Sequence, residues 1–416
     1  MREWVEGFLG TEVSGFKREY AGGSRPLWYV LTPTGEYVLR LDTGGGALSD
    51  SPYNLDREIA VYASLRHTGV PVPELLATNR FGEGQAILMS RVHGDSRMPR
   101  SESEALSLID QLTVAVAHMH NLDARKLELS WGDVPSMREA IAIELGHWER
   151  LMGDSPRVEC VYAIKWLRDI LPLLPGLTET SALVQGDTGP GNAIFDGDSL
   201  AAIVDWELSH LGDPMEDIAW LDQRCSTWDR IEGARERRLN TYQSVSKRKI
   251  DLERVRYHAV FVRLRCAIIT ARTIDSGGGA LGCAVYEPAR NRFIREMVDL
   301  IIAAIGFVPP DHYDINKQVM REIDFDEEAL VEKIASHETK LAMNASEKLR
   351  HRERTIQALH EWVSDNYGDA IEAVRAREDV RFSDLSVHSP ADVQSHLVRR
   401  AARLALLWPD PAVRLP

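Results

Sequence analysis

Leu183-Val184-Gln185-Gly186-Asp187-Thr188-Gly189-Pro190-Gly191-Asn192-Ala193-Ile194-Phe195, with Ile203-Val204-Asp205-Trp206-Glu207 a few residues on, is the most informative stretch of the chain. Ala182-Leu183-Val184, Ala193-Ile194-Phe195 and Ala202-Ile203-Val204 read as short apolar strands. The first two bracket a polar, glycine-rich loop, and Asp196-Gly197-Asp198 turns the chain between the second and third. A dinucleotide fingerprint built on Gly186, Gly189 and Gly191 is excluded, because a strand rather than a helix follows the glycines. Asp and Asn are common in turns, so Asp187 and Asn192 alone would carry little weight. Their combination with strand, loop, strand and a following Asp-Trp-Glu carries much more.

Phosphoryl transfer needs a carboxylate to accept the proton of an attacking hydroxyl, together with an amide oxygen and a second carboxylate to hold magnesium against the phosphates. Asp187 and Asn192 stand in Asp-x4-Asn spacing, and Asp205 ends the next strand but one. An all-oxygen set of this kind suits a hard cation.

Outward from this stretch, the first ninety residues alternate short strands and turns. Leu27–Thr32 and Tyr37–Leu41 flank the turn Pro33-Thr34-Gly35-Glu36 as a hairpin. A helix over Leu55–Arg66 is closed by Gly69, Pro71 and Pro73. Strands Leu75–Thr78 and Gln85–Val92 bracket Phe81-Gly82-Glu83-Gly84. From Glu102 the apolar residues Leu106, Ile109, Leu112, Val116 and Met119 recur at helical spacing, and helices dominate to Ile305 apart from the stretch quoted first. Ser276–Gly282 reads as a flexible loop between helices. Gly306–Asp311, with Pro309-Pro310, marks a boundary, beyond which a helical module fills 311–416. Its apolar stripes, such as Leu341, Leu349, Ile356, Leu359 and Val363, need covering by this chain or by a second copy in a homodimer.

The 416 residues suffice for two or three domains. With 44% hydrophobic and 27% charged residues, the composition is that of a globular chain. A formal charge of −14 argues against nucleic acid or an anionic membrane as partner. The four cysteines are widely spaced without a CxxC, which signals neither zinc nor a disulfide framework and fits a reducing compartment. Acids within the first six residues argue against a signal or transit peptide, and no apolar run approaches the ~20 residues of a bilayer span, so a cytoplasmic location is expected.

The motif set resembles the aminoglycoside-phosphotransferase-like kinases. The family's His-Gly-Asp-x4-Asn, Ile-Asp-Trp-Glu and Gly-Asp-Pro-x2-Asp stand here as Gln185-Gly186-Asp187 to Asn192, Val204-Asp205-Trp206-Glu207, and Gly212-Asp213-Pro214-Met215-Glu216-Asp217. Gly22–Pro26, Tyr37–Arg40, Asp56-Arg57-Glu58 and Gly69–Pro73 point to the branch of kinase-like domains associated with acyl-CoA dehydrogenases. The resemblance covers residues 10–305 and not the tail. It implies an α+β, two-lobe protein-kinase-like fold: a small antiparallel-sheet N-lobe (1–92), a mainly helical C-lobe (93–306) and the added helical module (311–416).

The resemblance also implies an ATP- and Mg2+-dependent kinase acting on an alcohol group of a small molecule. Asp187 is then the catalytic base, Asn192 and Asp205 the magnesium ligands, and Asp217 a structural support of the loop. Gly22, Gly23 and Ser24 would cover the phosphates with backbone N–H groups. Arg40 would contact the phosphates and pair with Glu58, whose helix face is shared with Val61, Tyr62 and Leu65. Backbone groups of Ser90, Arg91 and Val92 would meet adenine.

Two residues depart from the family pattern. Gln185 replaces His and can still brace the loop through its amide. Arg40 replaces Lys, and the two are not interchangeable. The branch suggests a hydroxy acid or its CoA thioester as acceptor. An aminoglycoside or amino alcohol is the alternative, and a nucleotide-binding pseudokinase scaffold is the alternative of another class.

Overall fold

The computed structural model describes residues 1–304 apart from 20–24, 43, 83, 97–98, 100, 154–155, 227 and 276–278. The expectations for Gly22, Gly23, Ser24 and the 311–416 module lie outside the described residues. The chain divides into two compact units, one of Met1–Leu151 with Lys165–Val262 and one of Met152–Ile164 with the chain from Arg263 onward.

The first unit opens with α1 (Arg2–Leu9) and β1 (Gly15–Glu19), neither of which was expected. Both are short, and their signal is faint: Gly10 caps α1 at φ +65°, and Val5 is the buried residue of the helix. Strands β2 (Leu27–Thr32) and β3 (Gly35–Asp42) form the expected hairpin, with Thr32 paired to Gly35. Thr32 Oγ1 closes the turn by accepting from the backbone N–H groups of Thr34 and Gly35. After α2 (Leu55–Leu65) come β4 (Leu75–Phe81) and β5 (Gly84–Ser90). The five strands form one antiparallel sheet in the order β1-β2-β3-β5-β4.

Alternation along the strands gives the sheet two faces. Val30, Leu39, Ala86 and Leu88 are buried with Val5 of α1 on one face. Arg40, next to Leu39, points to the opposite face. There α2 packs against β4 and β5, burying Val61, Tyr62 and Leu65. Asn54 starts α2 by accepting from Arg57 N–H with its side chain. The geometry of this helix turns Glu58 inward, where it is fully buried.

The helical part of the unit contains α3 (Glu102–His120), α4 (Met137–Leu151), α6 (Met215–Arg224) and α7 (Ala234–Ser246), with α3 packed on α7. Helices α5 (Val158–Ile170) and α8 (Leu252–Asp275) contribute residues to both units. Two short pairs sit among these helices: β6 (Ala182–Val184) with β9 (His210–Gly212), and β7 (Ala193–Asp196) with β8 (Ser199–Ile203). The described part of the second unit is carried by α8 and α9 (Gly279–Ala304). Phe293, Ile294, Met297, Val298, Ile301 and Ile302 form its buried face, and Arg263 pairs with Glu296 at 3.3 Å. Of the expected loop over Ser276–Gly282, Gly279–Gly282 belong instead to α9, and 276–278 lie outside the described residues. Among the described residues no helix is long and apolar enough to cross a membrane.

Candidate active site

The β6–β9 pair holds the Gln185–Asn192 loop at one strand end, and the β7–β8 hairpin delivers Asp205 beside it. Gly186 adopts φ +81°, and a Cβ there would lie 2.4 Å from the Leu208 carbonyl oxygen, so only glycine fits. Asp205 itself stands at φ +62°, a left-handed conformation that Asp and Asn adopt more readily than other side chains. Two unusual backbone positions thus shape the loop and the turn that carries Asp205.

Asp217, fully buried at the start of α6, anchors the loop. Its carboxylate accepts from Gln185 N–H at 2.9 Å and Gly186 N–H at 3.0 Å. His120 Nε2 stands 3.1 Å from the same carboxylate, and His120 Nδ1 is 2.7 Å from the Tyr242 hydroxyl. A carboxylate only accepts, so His120 donates to it from Nε2.

The Gln185 side chain links the two halves of the site. Its Nε2 donates to the carbonyls of Val204 at 3.2 Å and Asp205 at 2.9 Å. Its Oε1 accepts from Asp187 N–H at 2.8 Å and Thr188 Oγ1 at 3.2 Å. Histidine at this position keeps one donor and one acceptor of the same reach. Gln185→His is therefore expected to keep turnover within about tenfold, whereas Gln185→Ala is expected to lose more. Steady-state kinetics on the two variants check this, and a large gain with histidine would mark the natural protein as a weakened enzyme.

Asn192 Nδ2 donates to the Asp187 carbonyl at 2.8 Å and to Asp187 Oδ2 at 3.0 Å. These two bonds use the amide nitrogen, so the amide oxygen is directed elsewhere. Asp187 Oδ1 accepts from Arg224 Nε at 2.8 Å and also from Arg224 Nη2. Burial pushes the Asp187 carboxyl above its ordinary value, against the pull of Arg224 and Asn192. A carboxylate so raised is a stronger base than an exposed aspartate.

On the sheet side, Arg40 Nη1 meets Glu58 at 3.0 Å, while Nη2 reaches Asp205 at 2.7 Å and Glu207 at 3.2 Å. Sequence reasoning placed Arg40, Glu58 and Asp205 at the site but did not single out Arg25 or Glu207. Arg25 bonds Asp42 at 3.0 Å, Glu58 at 2.9 Å and Glu207 at 2.8 Å. Among these six side chains, four carboxylates face two guanidiniums. Burial first, and then the Asp205 charge, push Glu207 up to about 7, and burial raises Glu58 as well. Arg40 Nε is buried without a hydrogen-bond partner among the described residues. Excess negative charge, oxygen donors on Asn192 and Asp205, and an orphaned arginine donor all fit a divalent cation carried on phosphate. Among the described residues no three His, Cys, Asp or Glu side chains cluster to hold a metal without such a ligand.

Ser90 ends β5 opposite Tyr37, and its N–H donates to the Glu74 carbonyl at 2.9 Å. The Arg91 side chain turns away, pairing with Glu36 and lying 4.5 Å over the Tyr29 ring. Arg57 ties α2 to the loop after Glu207 by donating to the Ser209 carbonyl at 2.7 Å.

The fold and motifs agree with known proteins. A solved aminoglycoside-phosphotransferase-like structure from Ralstonia eutropha superposes with a TM-score of 0.54 at 21% identity, covering 72% of this chain and 97% of that one. That likeness gives the protein-kinase-like α+β fold. Mouse acyl-CoA dehydrogenase family member 10 is 26% identical over 237 residues, 53% of this chain and 21% of the relative, so the chain spans about a fifth of that protein. Escherichia coli hygromycin-B 4-O-kinase is 22% identical over 195 residues, 44% of this chain and 54% of the relative. The family model for the Phosphotransferase enzyme family matches residues 18–257, well over half of the sequence. The chain belongs to the phosphotransferase enzyme family.

Proposed function

We propose that the protein transfers the γ-phosphoryl group of ATP to a hydroxyl of a small molecule. The observation that carries this reading is the convergence of Asp187, Asn192 and Asp205 on one loop cluster beside the Arg40–Glu58 pair. The match to the phosphotransferase family and to a relative named for phosphorylating a hydroxyl supports it.

Asn192 and Asp205 would hold magnesium, which would supply positive charge against the phosphates. Asp187 orients the hydroxyl and takes its proton. Arg40, whose Nε has no hydrogen-bond partner among the described residues, adds positive charge on the phosphate side. Backbone groups of Arg91 and Val92 and the Ser90 carbonyl would meet adenine, the Ser90 N–H being held by the Glu74 carbonyl, and Gly22, Gly23 and Ser24 are proposed to cover the phosphates. Gln185 and Asp217 keep the loop in shape. Rate comes from positioning and electrostatics rather than from new covalent chemistry. Relatedness to an acyl-CoA dehydrogenase family member favours a hydroxy acid or its CoA thioester over an aminoglycoside as acceptor.

Mg2+–ATP is expected to raise the melting temperature, because a ligand that binds the native state stabilises it. At ~100 times its dissociation constant the gain is about 2.7 kcal/mol. Asp205→Ala is expected to remove most of that shift. Thermal denaturation with and without Mg2+–ATP checks both, and an unchanged shift in the variant would overturn the metal assignment. An ATP-consumption screen across hydroxy acids, CoA thioesters, aminoglycosides and amino alcohols identifies the acceptor. ATP binding with no turnover in any arm would favour the pseudokinase scaffold.

A further inference from the structure

Arg224 is the last residue of α6, one helical turn after Trp220. Its guanidinium lies 5.4 Å from the centre of the buried Trp220 indole and donates to Asp187 Oδ1 through Nε and Nη2. The side chain is 42% exposed, against 19% for Asp187, so the cation sits on the solvent side of the base. The loop is shaped to admit it. A Cβ at Gly189 would stand 2.4 Å from Arg224 Cβ and 2.7 Å from Cγ. Any side chain at 189 would push the arginine stem off the loop. A helix turn, an indole and a glycine gap therefore combine to hold one cation over the proposed proton acceptor. The ion pair itself, this exposed, adds little to stability.

We propose that Arg224 recognises the acceptor, by binding a carboxylate or phosphate that the acceptor carries close to the hydroxyl to be phosphorylated. The proposal rests on the kinase reading given above. A guanidinium presents a planar fork of N–H donors that matches either anion. An anionic acceptor draws the fork away from Asp187 Oδ1 and leaves that oxygen for its own hydroxyl. The hydroxyl oxygen then bonds to the γ-phosphorus as the bond to ADP breaks, and the hydroxyl proton passes to Asp187. A polycationic acceptor would instead bring like charge against Arg224 at the point of reaction.

The test pairs acceptors that differ in charge: glycerate and glycerol 3-phosphate as the two anionic sources, glycerol as neutral, ethanolamine and kanamycin as cationic. ADP release is measured on the full chain, and binding of glycerate and of inorganic phosphate to the Mg2+–ADP complex is measured by calorimetry. The expected result is a preference for an anionic arm. The Arg224→Gln variant should reduce that arm by about 10- to 100-fold, the scale of a lost charge-assisted hydrogen bond, mainly through KM. The Arg224→Lys variant should recover part of the loss. The anion heat should be present in the natural protein and lost in Arg224→Gln, while the Mg2+–ATP melting shift stays in both. Preferred turnover of ethanolamine or kanamycin, an anionic-to-neutral ratio unchanged in Arg224→Gln, or no anion binding by the natural protein would each overturn the role of Arg224. Absence of the Mg2+–ATP melting shift in the natural protein would instead overturn the kinase reading on which it rests.

Discussion

Asp187→Asn is expected to lower turnover by ~10² or more while Mg2+–ATP still raises the melting temperature. The amide has the shape of the carboxylate but cannot take a proton from a hydroxyl. Asp187 lies between two donors, Asn192 Nδ2 on one oxygen and Arg224 on the other. The new amide can keep its oxygen toward Arg224 and then sets an N–H against Asn192. This strains the loop locally at a cost of about 1–3 kcal/mol, which a melting curve resolves from the loss of chemistry. The pH profile separates the two further. Burial raises the Asp187 pKa, and the base must be deprotonated to act. Activity of the natural protein should therefore fall, on acidification, at a pH above the ordinary aspartate value. That limb should be missing from the residual activity of Asp187→Asn. Turnover within tenfold of the natural protein would rule Asp187 out as the base.

The grouping of Asp187, Asn192 and Asp205 was legible because the chemistry proposed for them demands particular residue types at short spacing along one strand-loop-strand unit. The meeting of Arg40 and Glu58 was legible for a different reason. Strand alternation and helix periodicity each turn one side chain inward, and the two faces pack on each other, giving the 3.0 Å pair. Arg25 was not singled out as a site residue because it follows Gly22-Gly23-Ser24 in the sequence and lies on no periodic element. Only tertiary placement brings it to Glu58 and Glu207, residues 33 and 182 positions away. Arg224 was missed in the same way. Nothing local distinguishes an arginine that ends a helix, and its partner lies 37 residues back. The span of Gln185 to the Val204 and Asp205 carbonyls also needed the fold, although the capacity of its amide for two kinds of bond did not. β6 was legible as a short apolar run, but its partner β9 (His210–Gly212) was not, because that pairing is made only in the fold. In each case the missing information is a long-range contact rather than a local preference.

Asp217→Ala is expected to destabilise the protein more than any other single change at the site. The Asp217 carboxylate is fully buried and receives three donors: Gln185 N–H, Gly186 N–H and His120 Nε2. Alanine would leave two backbone N–H groups and an imidazole N–H buried without acceptors. Losing one partner of a buried, hydrogen-bonded charge costs roughly 3–5 kcal/mol, because the remaining groups stay desolvated. For a unit of this size that lowers the melting temperature by on the order of 10 °C. Asp217→Asn tests the physical cause. It keeps the volume and one acceptor oxygen, but its amide N–H must face a donor, so it should recover only part of the loss. The damage should also reach the chemistry, since Gln185 and Gly186 directly precede Asp187 and Gln185 holds the Asp205 backbone. Turnover should fall in both variants even at temperatures where they remain folded. Urea and thermal denaturation measure the first effect, and single-turnover rates well below the melting transition measure the second. A variant that loses less than about 1 kcal/mol, or that keeps full turnover, would show that the Gln185–Asn192 loop holds its shape without this anchor.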